Sequence, residues 1–130
     1  MNLQYRFIQG TAALLGLMYL KSGYDFIITK QIEFIHYTAI SSLEIWTVRN
    51  LGARLLAISV GFLAALFLND RRMLALMFLV RLTADIGDFF NSMNTAGLDS
   101  FVVPVLGAFV CIETLCLLML MKIIAQEGKK

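Results

Sequence analysis

The sequence predicts an all-α integral membrane bundle of four transmembrane helices, running up, down, up and down. Three observations carry that expectation. Of 130 residues, 59% are hydrophobic and only 15% charged, with a single proline; a soluble domain of this size is usually about 45–50% apolar and about 25% charged. The apolar residues gather into four segments, 7–28, 48–68, 73–90 and 101–124, each near the ~20 residues with which a helix crosses a ~30 Å hydrocarbon core. Runs such as LLAISVGFLAALFL, residues 55–68, do not alternate, whereas a β-barrel needs alternating strands, and helices satisfy their own backbone in lipid. The same composition excludes a disordered chain, a collagen-like repeat and a disulfide scaffold, and fits an ordinary soluble enzyme poorly. A net charge of +2, from 11 basic and 9 acidic side chains, provides no basic face for nucleic acid.

The first segment has a short polar front with Arg6 and then an apolar run to Leu20. It resembles a signal peptide, but Lys21-Ser22-Gly23-Tyr24-Asp25 offers no small-x-small cleavage site, so it reads as a retained first span. The connection 29–40 is the longest, and it carries Phe34, His36 and Tyr37, with Trp46 soon after. Such aromatics favour the membrane interface, as a lid on the bilayer or as a plain interfacial linker. Ser41-Ser42-Leu43-Glu44 reads as a capping box that starts the second helix near Ser42. Asn69-Asp70 ends that helix in a tight turn, and Arg71-Arg72 opens the third. Asn94-Thr95-Ala96-Gly97 closes the third, with Asp99 or Ser100 as cap of the fourth. Pro104 falls in the first turn or so of the fourth helix, where proline is tolerated.

Four spans place Arg6, Arg71, Arg72, Lys122, Lys129 and Lys130 on one side of the membrane. The positive-inside bias then predicts both termini in the cytoplasm, in a plasma membrane or bacterial inner membrane. Cys111 and Cys116 lie five residues apart, about 140° around a helix, so they form no local redox pair and read as small packing residues.

The charges inside the spans are the candidates for function, because one charge at a helix centre costs about 2.5–3.5 kcal/mol to insert. The third span carries Arg81, Asp85 and Asp88 on one face, at i, i+4 and i+7. The second opens with Arg49, Asn50 and Arg54, and Asn50 and Arg54 share a face with Ala57 and Gly61, where small residues let a neighbour approach. Glu113 sits near the middle of the fourth span, and Lys21, Tyr24 and Asp25 lie in the outer half of the first. All of these can converge in the outer half of one bundle. Three arginines against three carboxylates suggest mutual neutralisation, which by itself can set helix register.

The donor set narrows the chemistry. A haem pair needs two histidines at membrane depth, and the chain has only His36, in a connection. A zinc site lacks its His and Cys ligands, three arginines would repel a cation held by the carboxylates, and no serine–histidine system fits within the spans. No metal or cofactor is expected. Acid–base work remains, with Glu113, Asp85 and Asp88 as catalytic candidates. Glu113 is the expected proton donor, and Asp85 and Asp88, placed nearer the outer face, the ionised groups. Arg49, Asn50, Arg54 and Arg81, with Tyr24 and Asp25, are the candidates for binding a small amphipathic or lipid-like molecule. Isomerisation, cyclisation or ring opening would suit that division of labour. The alternatives are an accessory subunit packed on a larger membrane enzyme, and a small proton-coupled transporter acting as a homodimer.

Four short spans, the string Arg49-Asn50-Leu51-Gly52-Ala53-Arg54 opening the second, Arg81 in the third and Glu113 in the fourth together resemble the DoxX-like group of small four-helix membrane proteins. The resemblance covers most of residues 1–125. It implies a compact four-helix bundle and supports the arginine and glutamate positions. Some members accompany membrane redox systems using quinones or thiols; this chain carries no redox cysteine pair.

Overall fold

The computed structural model describes residues 3–29, 31–32, 37–38, 41–94 and 102–127. Among them the chain is all-α apart from one two-residue ladder. Helix α1 spans Leu3–Ile28, α2 Ser42–Phe67, α3 Arg71–Asn94 and α4 Val102–Glu127. Between α1 and α2, strand β1 (Gln31–Ile32) pairs antiparallel with β2 (Tyr37–Thr38), Gln31 opposite Thr38. This short hairpin stands where the sequence suggested a lid or linker. Phe34 and His36, and the expected Asp99 or Ser100 cap, lie outside the described residues. α1 starts before its apolar segment and α4 runs past its own, because Gln4 and Arg6 at the one end and Ala125 and Gln126 at the other include no helix breaker.

The helix ends follow local chemistry. Ser41 caps α2: its hydroxyl accepts from the Glu44 N–H at 3.2 Å, and its own N–H donates to the Glu44 carboxylate at 2.8 Å. Two orphan donors are thus satisfied at once. Asn69 ends the helix in the left-handed region, at φ 50°, which asparagine tolerates better than most residues. Asp70 then accepts from the N–H groups of Arg72 and Met73, at 2.8 and 3.1 Å, and so caps α3.

The chain divides into two compact units, 9–69 and 1–8 with 70–130. In the first, α1 and α2 run antiparallel. Gln9 donates to the Asn69 side chain at 3.2 Å, the buried Ser59 hydroxyl donates to the Gly16 carbonyl at 2.7 Å, and Gly23 lies against Gly52. The buried stripe of α2 is Val48, Gly52, Leu55, Ile58, Ser59, Phe62 and Ala65. Close approach therefore runs through Gly52 and Ser59. Ala57, where the sequence placed it, is exposed, because the polar Asn50 and Arg54 occupy that side of the helix and turn it away from its apolar partner.

In the second unit α3 and α4 are antiparallel neighbours. Arg71 pairs with Glu127 at one end and Arg81 with Glu113 further along. The Arg71 guanidinium also sits 4.6 Å above the Tyr5 ring, a cation–π contact. Leu74 and Phe78 of α3 and Cys116, Leu120 and Ile123 of α4 form the apolar core. Cys111 is exposed and Cys116 buried, both free, as their angular separation implies.

Among the described residues, α2 and α4 are each long and apolar enough to cross a membrane. Helices α1 and α3 carry more polar residues: Arg6, Lys21 and Asp25 in the one, and Arg71, Arg72, Arg81, Asp85 and Asp88 in the other. Large apolar side chains are nevertheless exposed along all four, among them Leu14 and Leu17, Val60 and Phe67, Leu76 and Leu79, and Leu115 and Leu118.

A buried arginine–carboxylate site

On α3 the buried stripe advances by four, three and four residues, from Leu74 to Phe78, Arg81 and Asp85. The helical period that buries Leu74 and Phe78 therefore buries the charges as well. Glu113 does the same on α4, one and two turns before Cys116 and Leu120. Asp85 and Glu113 are 0% exposed and Arg81 only 8%.

The guanidinium of Arg81 links the two carboxyl groups. It forms an ion pair with Asp85 on the next turn of its own helix, and its Nε lies 3.8 Å from Glu113 Oε1 across the helix pair. Both carboxyl groups therefore stand against the same cation. Asp88 is half-buried. The sequence expected Arg81 to pair with Asp85 or with Glu113, and it pairs with both. It also expected Asp85 and Glu113 in different environments. They are equally buried, because the antiparallel register of α3 and α4 brings both to one guanidinium.

The other candidates lie in the first unit. Arg49, Asn50 and Arg54 occupy the exposed side of α2, and Tyr24 the exposed side of α1. Asp25 pairs with Lys21 at 2.8 Å within α1, while its carbonyl accepts from the Thr29 N–H and hydroxyl. Sequence reasoning missed the buried Ser59, whose hydroxyl bridges to the α1 backbone. Its only signal was a lone serine within an apolar run. Among the described residues no three His, Cys, Asp or Glu side chains gather as a metal-ligand set.

Fold and site together define, among the described residues, an all-α protein of four helices, two of them apolar enough to cross a membrane, with a buried arginine–carboxylate cluster between α3 and α4. No family model, curated protein or solved structure matches the chain.

Proposed function

We propose that this chain is a four-span integral membrane protein, with α1 to α4 as its spans. In this reading the Arg81–Asp85–Glu113 cluster binds a small amphipathic molecule and does acid–base work on it. The membrane placement is supported by the large apolar side chains left on the outside of the helices. Apolar residues are exposed along every helix, while Arg81, Asp85, Glu113 and Ser59 are buried. Exposed apolar area on this scale suits lipid and not water, and buried intramembrane charges mark functional sites. The DoxX-like topology proposed from sequence is compatible with this arrangement.

One observation carries the chemistry: two fully buried carboxyl groups, from neighbouring helices, stand against one guanidinium. Two carboxyl groups beside a single cation in an apolar interior favour a proton on one of them, since two ionised groups would leave a negative charge uncompensated. The pair can therefore release and take back a proton without leaving the protein interior, while Arg81 holds the remaining negative charge in place. Asp88, closer to the surface, gives protons a route in and out.

Glu113→Gln tests the assignment, since the amide keeps size and polarity but cannot transfer a proton. With the helical circular dichroism unchanged, turnover of lipid extracts from the host is expected to fall by at least about 100-fold, the usual contribution of a general acid or base. Asp88→Asn is expected to act more weakly. Full activity in Glu113→Gln would remove the acid–base role and favour a non-catalytic accessory subunit.

The proposed orientation places both termini in the cytoplasm. A cysteine added after Lys130 is expected to resist a membrane-impermeant thiol reagent in intact cells and to react once the cells are opened. Efficient labelling of intact cells would invert the topology.

A further inference from the structure

Helix α2 keeps two arginines on its exposed side. Its buried stripe runs through Val48, Gly52, Leu55, Ser59 and Phe62, while Trp46, Arg49, Asn50, Ala53, Arg54 and Ala57 are all exposed. At ~100° per residue, Trp46, Ala53 and Ala57 fall along the middle of that side, with Arg49 and Arg54 roughly 70° to either flank. The two arginines are separated by about 7.5 Å along the axis, within joint reach of one small anion above Ala53. Asn50 lies between them and adds an amide donor. Trp46 lies one turn nearer the start of the helix and is 65% exposed. Among the described residues neither arginine enters an ion pair.

This side belongs to a helix long and apolar enough to cross a membrane. An arginine exposed on such a helix needs an anion or water, and the nearest anions to a bilayer-facing helix are headgroup phosphates. Guanidinium groups hold phosphate oxygens in a bidentate fork, and exposed tryptophan settles at headgroup level. We propose that Arg49 and Arg54, flanking the small Ala53 and below Trp46, hold the phosphate of an anionic phospholipid. Two cations with no ion-pair partner among the described residues favour a lipid with net negative charge over one whose choline neutralises the phosphate. A second copy of the chain fits less well, since packing α2 on itself through Ala53 and Ala57 would bring like charges together. The proposal rests on the membrane placement above and is independent of the acid–base role of Glu113.

The test uses the full chain in nanodiscs of phosphatidylcholine mixed with phosphatidylglycerol. The lipids retained after transfer to a mild neutral detergent are counted by native mass spectrometry. Wild type is expected to retain phosphatidylglycerol preferentially, with the preference weakening as salt is raised. Arg49→Gln and Arg54→Gln are each expected to reduce it roughly fivefold, the contribution of one basic residue near an anionic membrane surface. Arg49→Lys with Arg54→Lys should keep part of the preference, which separates lost charge from lost fold. Gly10→Ala, where a Cβ meets nothing within 4 Å, should retain lipid as wild type does. Equal retention of the two lipids by wild type, or an unchanged preference in the glutamine variants, would overturn the site and leave the membrane placement standing. A wild-type dimer that the glutamine variants dissociate, with no lipid preference, would replace the lipid by a second copy. Failure of wild type to enter nanodiscs at all would overturn the membrane placement as well.

Discussion

Arg81→Leu is expected to destabilise the protein by about 3–5 kcal/mol, the cost of removing one partner from a buried ion pair. The cost arises from what remains. Asp85 and Glu113 are both 0% exposed, and Arg81 is the cation that reaches both. Without it, two carboxyl groups are left in an apolar interior and must take up protons or draw in water. Arg81→Leu combined with Asp85→Leu should recover part of the loss, because one of the two stranded groups is removed while Glu113 stays. The measurement is reversible unfolding in detergent, comparing the single and double variants. Equal losses would show that Arg81 and Asp85 are not coupled. Full recovery would show that Glu113 gains little from the arginine.

The second large effect is expected where α1 and α2 meet. A Cβ added at Gly23 would lie 2.8 Å from the Gly52 carbonyl oxygen, and one at Gly52 would lie 2.9 Å from the Gly23 carbonyl oxygen and from the Phe26 Cβ. Backbone atoms cannot rotate away as a side chain does, so the helices must part. Gly23→Ala and Gly52→Ala should each cost about 1–3 kcal/mol, the usual range for overpacking, and Gly52→Leu more. Gly10 and Gly87 serve as controls, because a Cβ there meets nothing within 4 Å. Gly10→Ala and Gly87→Ala should instead stabilise by about 0.5–1 kcal/mol, from reduced chain entropy in a helix. The same detergent unfolding assay checks all four. Alanine tolerated at both Gly23 and Gly52 would mean that the helices do not approach as closely as described.

Much of the fold was legible because its signals are local. The Ser41–Glu44 box and the Asn69-Asp70 turn each act within four residues, so the helix ends could be read directly. The charges of the site were legible for a different reason. Arg81, Asp85 and Glu113 stand out against apolar runs, and the i, i+4 spacing brings the first two together on any helix. The approach of Glu113 to Arg81 depends on the register of α3 against α4, over a separation of 32 residues, and no local pattern encodes it. The Gly23–Gly52 crossing was missed on the same grounds. Ala57 and Gly61 offered an equally plausible small-residue face, and only the packed stripe through Leu55 and Phe62 decides between the two.

The small residues at the α1–α2 crossing also set a rhythm. Gly16 and Gly23 are seven residues apart, and so are Gly52 and Ser59, their partners in reverse order. A straight α-helix drifts by ~20° for every seven residues. A seam that repeats every seven stays closed only where the two helices coil around each other with a left-handed pitch. The spacing therefore fixes the phase of the pair as well as its distance. One residue inserted between Gly16 and Gly23 would turn the rest of the helix by about 100°. A bulky side chain would then stand where the Gly52 carbonyl passes, and the two contacts could no longer form together.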